Sequence, residues 1–119
     1  MVSGESKRFR LNAADIRPLA EGFGSCIASD RITVEGKPLG FMYRESPDHP
    51  HDSGWRFLSG AESQYYLDKS ENLAMYDVNT IANYDPSIIQ FLEAPEGSAF
   101  GRASGGQFEP EDMPQLSDA

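Results

Sequence analysis

His49-Pro50-His51-Asp52 is the one place in this chain where metal-type ligands crowd together, two imidazoles two residues apart with a carboxylate beside them. Zinc takes such donors, but a defined site needs a third or fourth ligand. The chain has no other histidine, and its single cysteine, Cys26, is distant in sequence. Solvated loop histidines are the simpler reading, and a metal- or ligand-binding enzyme built on His49, His51 and Asp52 is the least favoured function. A nucleophilic pair of Cys26 with His49 or His51 would require an activated thiolate. The apolar neighbours Ile27 and Ala28 instead predict a buried, inert thiol. Carboxylate pairs carry little weight for acid–base chemistry in a chain with 19 acidic residues. Gly22-Phe23-Gly24 lacks both the lysine and the spacing of a phosphate-cradling loop. Residue types and spacing give no catalytic constellation.

The elements that would position any site must come from 119 residues, enough for one domain around one core. Hydrophobic residues at 39% and aromatics at 11% are too frequent for a disordered chain. The longest apolar runs are a few residues, far short of the roughly 20 that a membrane-spanning helix needs. Lys7, Arg8 and Arg10 lead into a mixed segment that does not read as a secretion signal. A lone cysteine rules out an internal disulfide framework and suits a reducing cytoplasm.

Acidic residues number 19 against 10 basic, a net charge of −9, which argues against a duplex nucleic-acid binder. The charge is unevenly placed. Residues 1–47 are nearly neutral, whereas residues 48–96 hold nine acids against Arg56 and Lys69, a net −7. Glu109, Glu111, Asp112 and Asp118, with two prolines, read as a disordered acidic tail over residues 105–119, its edge marked by Gly105-Gly106. Residues 1–10 read as a loose lead-in, leaving 11–104 as the folded domain.

Within that domain, Asn12 with Asp15 suits a short helix start that Pro18 limits. Residues 24–34 look β-like in two runs, Cys26-Ile27-Ala28 and Ile32-Thr33-Val34. Glu35-Gly36-Lys37-Pro38 supplies a turn, Leu39 to Arg44 a strand, Ser46 to Ser53 a loop, and Gly54 to Leu58 a further strand. The last two strands pair as an antiparallel hairpin. Ser59 and Glu62 have capping-box spacing, predicting a helix from Gly60 to Leu67. Leu73 to Tyr76 reads as a strand, Asp77 as the cap of a helical turn through Asn83, and Asp85-Pro86 as the start of a helix ended by Pro95. Ser98 to Arg102 is the final strand, one whose edge could be open to pairing between subunits. The fold class is α+β: a single domain with an antiparallel sheet and short helices mainly in the second half.

Two segments are denser than composition requires. Trp55, in Gly54-Trp55-Arg56-Phe57-Leu58-Ser59-Gly60, is expected in the core. In Tyr76-Asp77-Val78-Asn79-Thr80-Ile81-Ala82-Asn83-Tyr84-Asp85-Pro86, short polar residues alternate with apolar ones. They can cap turns and hold backbone groups, or form an acidic recognition surface anchored by tyrosines. On the second reading the partner-binding residues are Tyr76, Asp77, Asn79, Asn83, Tyr84, Asp85 and Glu93, with Tyr65 and Tyr66 as further anchors.

Four segments in order resemble one bacterial family: Gly40 to Glu45, Asp52 to Gly60, Tyr76 to Pro86, and Pro95-Glu96-Gly97-Ser98-Ala99-Phe100-Gly101-Arg102. The resemblance covers Leu11 to Arg102. The family is that of the immunity proteins of polymorphic toxin systems numbered thirty-three, first catalogued as a domain of unknown function. It implies no catalytic residues and no cofactor, and a protein that neutralises a cognate toxin by stoichiometric binding in the cytoplasm. An acidic inhibitor suits a basic nuclease toxin, so the expected partner is a cationic protein, with neither nucleic acid nor membrane involved. A general interaction or regulatory module with another partner is the alternative. The oligomeric state is left open.

Overall fold

The longest strand, Asp52–Leu58, runs through the middle of the molecule and is buried over six of its seven residues. The computed structural model describes residues 7–103 and 106–113. Six strands form one sheet: β1 (Ser25–Ser29), β2 (Phe41–Arg44), β3 (Asp52–Leu58), β4 (Leu73–Asp77), β5 (Ala99–Gly101) and β6 (Glu109–Pro110), in the spatial order β4-β1-β3-β2-β5-β6. The short helices are α1 (Asp30–Thr33), α2 (Gln64–Leu67) and α3 (Val78–Tyr84), with 3₁₀ turns at Ala13–Asp15, Ser70–Asn72 and Pro86–Phe91. The fold is α+β, as the sequence indicates. The expected β2–β3 hairpin is present, with Phe41 opposite Leu58 and Arg44 opposite Trp55. One pairing departs from the antiparallel pattern: β1 lies parallel to β3, so the sheet is mixed. That arrangement follows from β2 folding back along the far side of β3, which leaves β3's other edge to β1.

The central strand is bent at a glycine. Gly54 sits at φ +89°, and the β1–β3 register slips between Ser25 opposite Asp52 and Ile27 opposite Arg56. A side chain there would strike the Glu45 carbonyl oxygen, 2.2 Å from where its Cβ would lie. The bulge brings Asp52 and Arg56 within reach of each other along one strand.

Local chemistry explains where the observed elements depart from the expected ones. Ile32-Thr33 belong to α1, not to a strand. The Ser29 hydroxyl accepts the Arg31 N–H and starts a helical turn that buries Ile32 and Thr33. Cap and burial override the β preference of two β-branched residues. Ser59 and Glu62 close a turn but do not start a helix. The Glu62 carboxylate accepts the Ser59 and Gly60 N–H groups, and Gly60 at φ +95° cannot continue helically. The helix begins later, at Gln64, capped by Ser63.

At the chain's ends, Arg10 N–H bonds to the Thr33 carbonyl and Lys7 pairs with Asp30 at 3.0 Å, so residues 7–10 are tied to α1. Past Gly105, Phe108 is buried and β6 adds antiparallel to β5. Residues 106–113 thus return to the sheet where an acidic tail was expected, because Phe108 has a ring neighbour in Phe91. β5 is consequently an interior strand between β2 and β6, its edge covered. Residues 1–6, 105 and 114–119 of the expected loose segments lie outside the described residues.

One sheet face carries the core. Cys26, Ala28, Met42, Trp55 and Phe57 pack against Ile32, Val78, Ile81, Ala82, Ile88 and Leu92 from the helical layer. Trp55 is fully buried, lies 6.1 Å from Phe57 in a stacked arrangement, and donates its indole N–H to the Leu92 carbonyl at 3.1 Å. Among the described residues no helix is long and apolar enough to cross a membrane.

Candidate functional site

The polar side chains of the Tyr76–Asp85 segment spend most of their bonding capacity on the protein itself. Asp77 caps α3 by accepting the Asn79 N–H at 2.8 Å. Asn79 is buried. Its carbonyl oxygen accepts the Leu19 and Ala20 N–H groups at 2.8 and 2.7 Å, and its amide donates to the Arg17 carbonyl at 2.9 Å. Asn83 sits one turn on and grips the same residue, accepting the Arg17 N–H and donating to its carbonyl. The two asparagines hold a segment that has no regular structure of its own. Tyr84 donates its hydroxyl to the Thr33 carbonyl and accepts the Leu11 N–H, while the Tyr76 hydroxyl meets the Thr33 hydroxyl at 3.0 Å. Asp85 caps the 3₁₀ turn through Ser87 and pairs with Arg102. Glu93 is exposed and forms no ion pair among the described residues. Tyr65 is 73% exposed, with the Lys69 ammonium 4.7 Å over its ring.

The histidine cluster is divided by its own strand. His51 is exposed and donates its backbone N–H to the His49 ring at 3.3 Å. Asp52 turns the other way, gripping the Arg56 guanidinium through both oxygens at 2.9 and 2.8 Å. Cys26 does reach the wall of a small cleft that His49 and Asp52 also border, about 40 Å³ in volume. That is room for about one water. The thiol is fully buried, and burial pushes its pKa far up, against the thiolate a nucleophile needs. Among the described residues no group of three or more His, Cys, Asp or Glu converges on a metal-binding geometry.

The sheet's second face has a different character. Direct register partners place Met75, Ile27, Arg56 and Tyr43 in one row across β4, β1, β3 and β2. Phe41 and Leu58, opposite each other, lie on the same face two residues along. None of the five apolar residues belongs to the core cluster; Ile27, Phe41, Tyr43 and Leu58 are half-buried and Met75 is 60% exposed. Phe41 and Tyr43 lie with ring centroids 5.8 Å apart. An open antiparallel face normally alternates to polar residues outward, so these apolar positions break the rule.

At the centre of that face Arg56 is almost fully buried beneath carboxylates. Besides Asp52, its Nε donates to Glu45 at 2.5 Å and its Nη2 lies 3.6 Å from Asp48. The Arg56 bonds, helped by the Asp48 and Gly54 N–H groups, hold the Asp52 carboxyl well below its ordinary value. Three carboxylates on one guanidinium leave this quartet at net −2. Asp48 keeps 75% of its side chain in solvent. Burial, and then the Glu45 charge, push the Tyr43 phenol upward. Further along, the Glu111 side chain covers Gly101, opposite Phe41 in the sheet. The open face is thus an apolar strip flanked by acids.

A family model described as Immunity protein Imm33 domain matches residues 26–111. The chain belongs to the Imm33 immunity-protein family. The matched stretch starts at the second residue of β1 and ends just after β6, so it takes in the whole sheet but for Ser25, including the strand built from the acidic C-terminal residues. No curated protein and no solved structure matches this Imm33 chain. Sequence reading reached the family through its motifs but missed Phe41, Tyr43, Ile27 and Met75 as a surface. The available signal was an apolar residue at every outward position of β2, where one face of a two-layer fold should be polar.

Proposed function

We propose that this protein is a non-enzymatic immunity protein, which neutralises a cognate toxin by stoichiometric binding in the cytoplasm of the cell that makes the toxin. The observation that carries this reading is the Imm33 match over residues 26–111, most of the chain. Two features support binding over catalysis. The groups best suited to chemistry, Cys26 and Asp52, are committed inward, one by burial and one by Arg56. The protein also presents an acidic surface, with residues 48–96 carrying most of a net charge of −9. Such a field attracts cationic partners and repels nucleic acid. A toxin that acts on an anionic substrate would be a natural target.

The test is co-expression. Production of each candidate toxin encoded beside this gene should arrest growth, and this protein should restore growth and co-purify with one of them at one-to-one stoichiometry. A stable complex with a non-toxic partner, without growth rescue, would replace the immunity reading by that of a general interaction module.

A further inference from the structure

We infer that the open face of the sheet is the toxin-docking surface, and that it receives a patch with an apolar centre and a lysine- or arginine-rich border. This rests on the immunity reading above and adds the place and the chemistry of the contact. The helical layer on the opposite side offers less. Asn79, Asn83, Tyr84 and Asp85 already satisfy backbone groups and Arg102 there, so using them for a partner would loosen the 16–20 segment or the 3₁₀ turn. On the open face the corresponding commitments are those of Asp52 and Glu45 to Arg56, which lie beneath the surface and need not break when a partner covers it. Ile27, Tyr43 and Met75 lie outside the core cluster, the first two half-buried and Met75 60% exposed, and covering them would remove their remaining apolar surface from water without disturbing the fold.

Charge complementarity identifies the occupant. Arg56, the cation in the Met75–Ile27–Arg56–Tyr43 row, is 3% exposed and saturated by Asp52 and Glu45. A partner therefore meets the carboxylates and not the guanidinium. Glu45 and Asp48 retain exposed oxygens, and an ionised carboxylate has about four acceptor directions, so each can take further donors from an incoming lysine or arginine. Arg56 holds Glu45 and Asp52 in position from below, so these two have little side-chain freedom to lose on binding. Apolar centre and charged border together match the common anatomy of a protein interface.

Three variants and one toxin test this. The toxin is the one that wild-type protein neutralises in co-expression, used in purified, catalytically inactive form. Asp48→Lys and Met75→Glu change exposed side chains on the open face, and Glu93→Lys changes an exposed one on the helical layer. Circular dichroism and thermal melting confirm that each is folded. Asp48→Lys should slow association about tenfold at low salt, Met75→Glu should raise Kd about tenfold or more, and Glu93→Lys should stay within about twofold of wild type. Loss of binding with Glu93→Lys alone, or wild-type binding by both open-face variants, overturns the docking surface while leaving immunity intact. Failure of the wild-type protein to neutralise any neighbouring toxin overturns the immunity reading itself, and the docking surface with it.

Discussion

Asn79 shows how a polar side chain that reads as a recognition residue can be an internal strut. Its amide replaces, for Leu19, Ala20 and Arg17, the backbone partners that a strand or helix would have supplied. Asn79→Ala should cost about 1–3 kcal/mol in urea unfolding, because the buried Ala20 N–H loses its acceptor. Asn79→Asp should recover part of that loss by keeping the acceptor oxygen. Asp52 gives a pH signature. Its carboxyl titrates below the ordinary 3.8 in the folded protein, so the stability it contributes is fully present above that pH. It is lost as pH falls through 3.8 toward the lower folded value. Acid titration of the wild type should show this loss below about pH 4, and Asp52→Asn should flatten it while lowering neutral-pH stability by about 3 kcal/mol, since Arg56 is left under-paired. Cys26 should resist alkylation in the native protein and react readily in denaturant. Rapid native labelling would contradict its burial.

Among the elements, the central hairpin depends on two glycines. A Cβ at Gly40 would lie 2.1 Å from the Ser59 carbonyl oxygen, and Gly54 combines a similar clash with a positive φ. Gly40→Ala and Gly54→Ala should each destabilise by at least about 1–3 kcal/mol in thermal or urea unfolding. Melting at wild-type temperature would show that the hairpin can splay. This hairpin, α3 with its Asp77 cap, and the Asp85-Pro86 start were all legible, because cap, turn and alternation signals agreed there. α1 was not. Ile32 and Thr33 have strand-forming side chains, and only the Ser29 hydroxyl bond and the space beneath α3 make them helical. β6 was hidden for the opposite reason. Its acidic, proline-bearing sequence reads as solvated, yet Phe108 anchors it in place. The parallel β1–β3 pairing is a matter of tertiary placement that no local pattern encodes.

At the scale of the molecule, helices and the core lie on one sheet face, the other carries half-buried apolar residues and Arg56 beneath acids, and the family motifs are spread over both. Alternation along β2 and β3 shows which residues share a face but not which face another layer covers. Of the two readings open for the Tyr76–Pro86 segment, the hydrogen bonds of Asp77, Asn79 and Asn83 fit the one in which short polar groups cap turns and hold backbone, while the second sheet face keeps Met75 exposed beside half-buried Tyr43 and Ile27. If a cationic toxin is steered by the acids around that strip, its association rate should fall steeply as salt rises from about 0.01 M to 0.15 M, as the Debye length shrinks from about 30 to 8 Å. A salt-independent rate would mean that charge plays no part in the encounter. The claim on which all of this depends is neutralisation by binding alone, and titrating a fixed amount of active toxin with increasing amounts of this protein tests it most directly. Toxin activity should fall linearly and vanish at one equivalent. Activity that persists at excess would contradict immunity, and complete loss at a small fraction of an equivalent would reveal an enzyme that modifies the toxin.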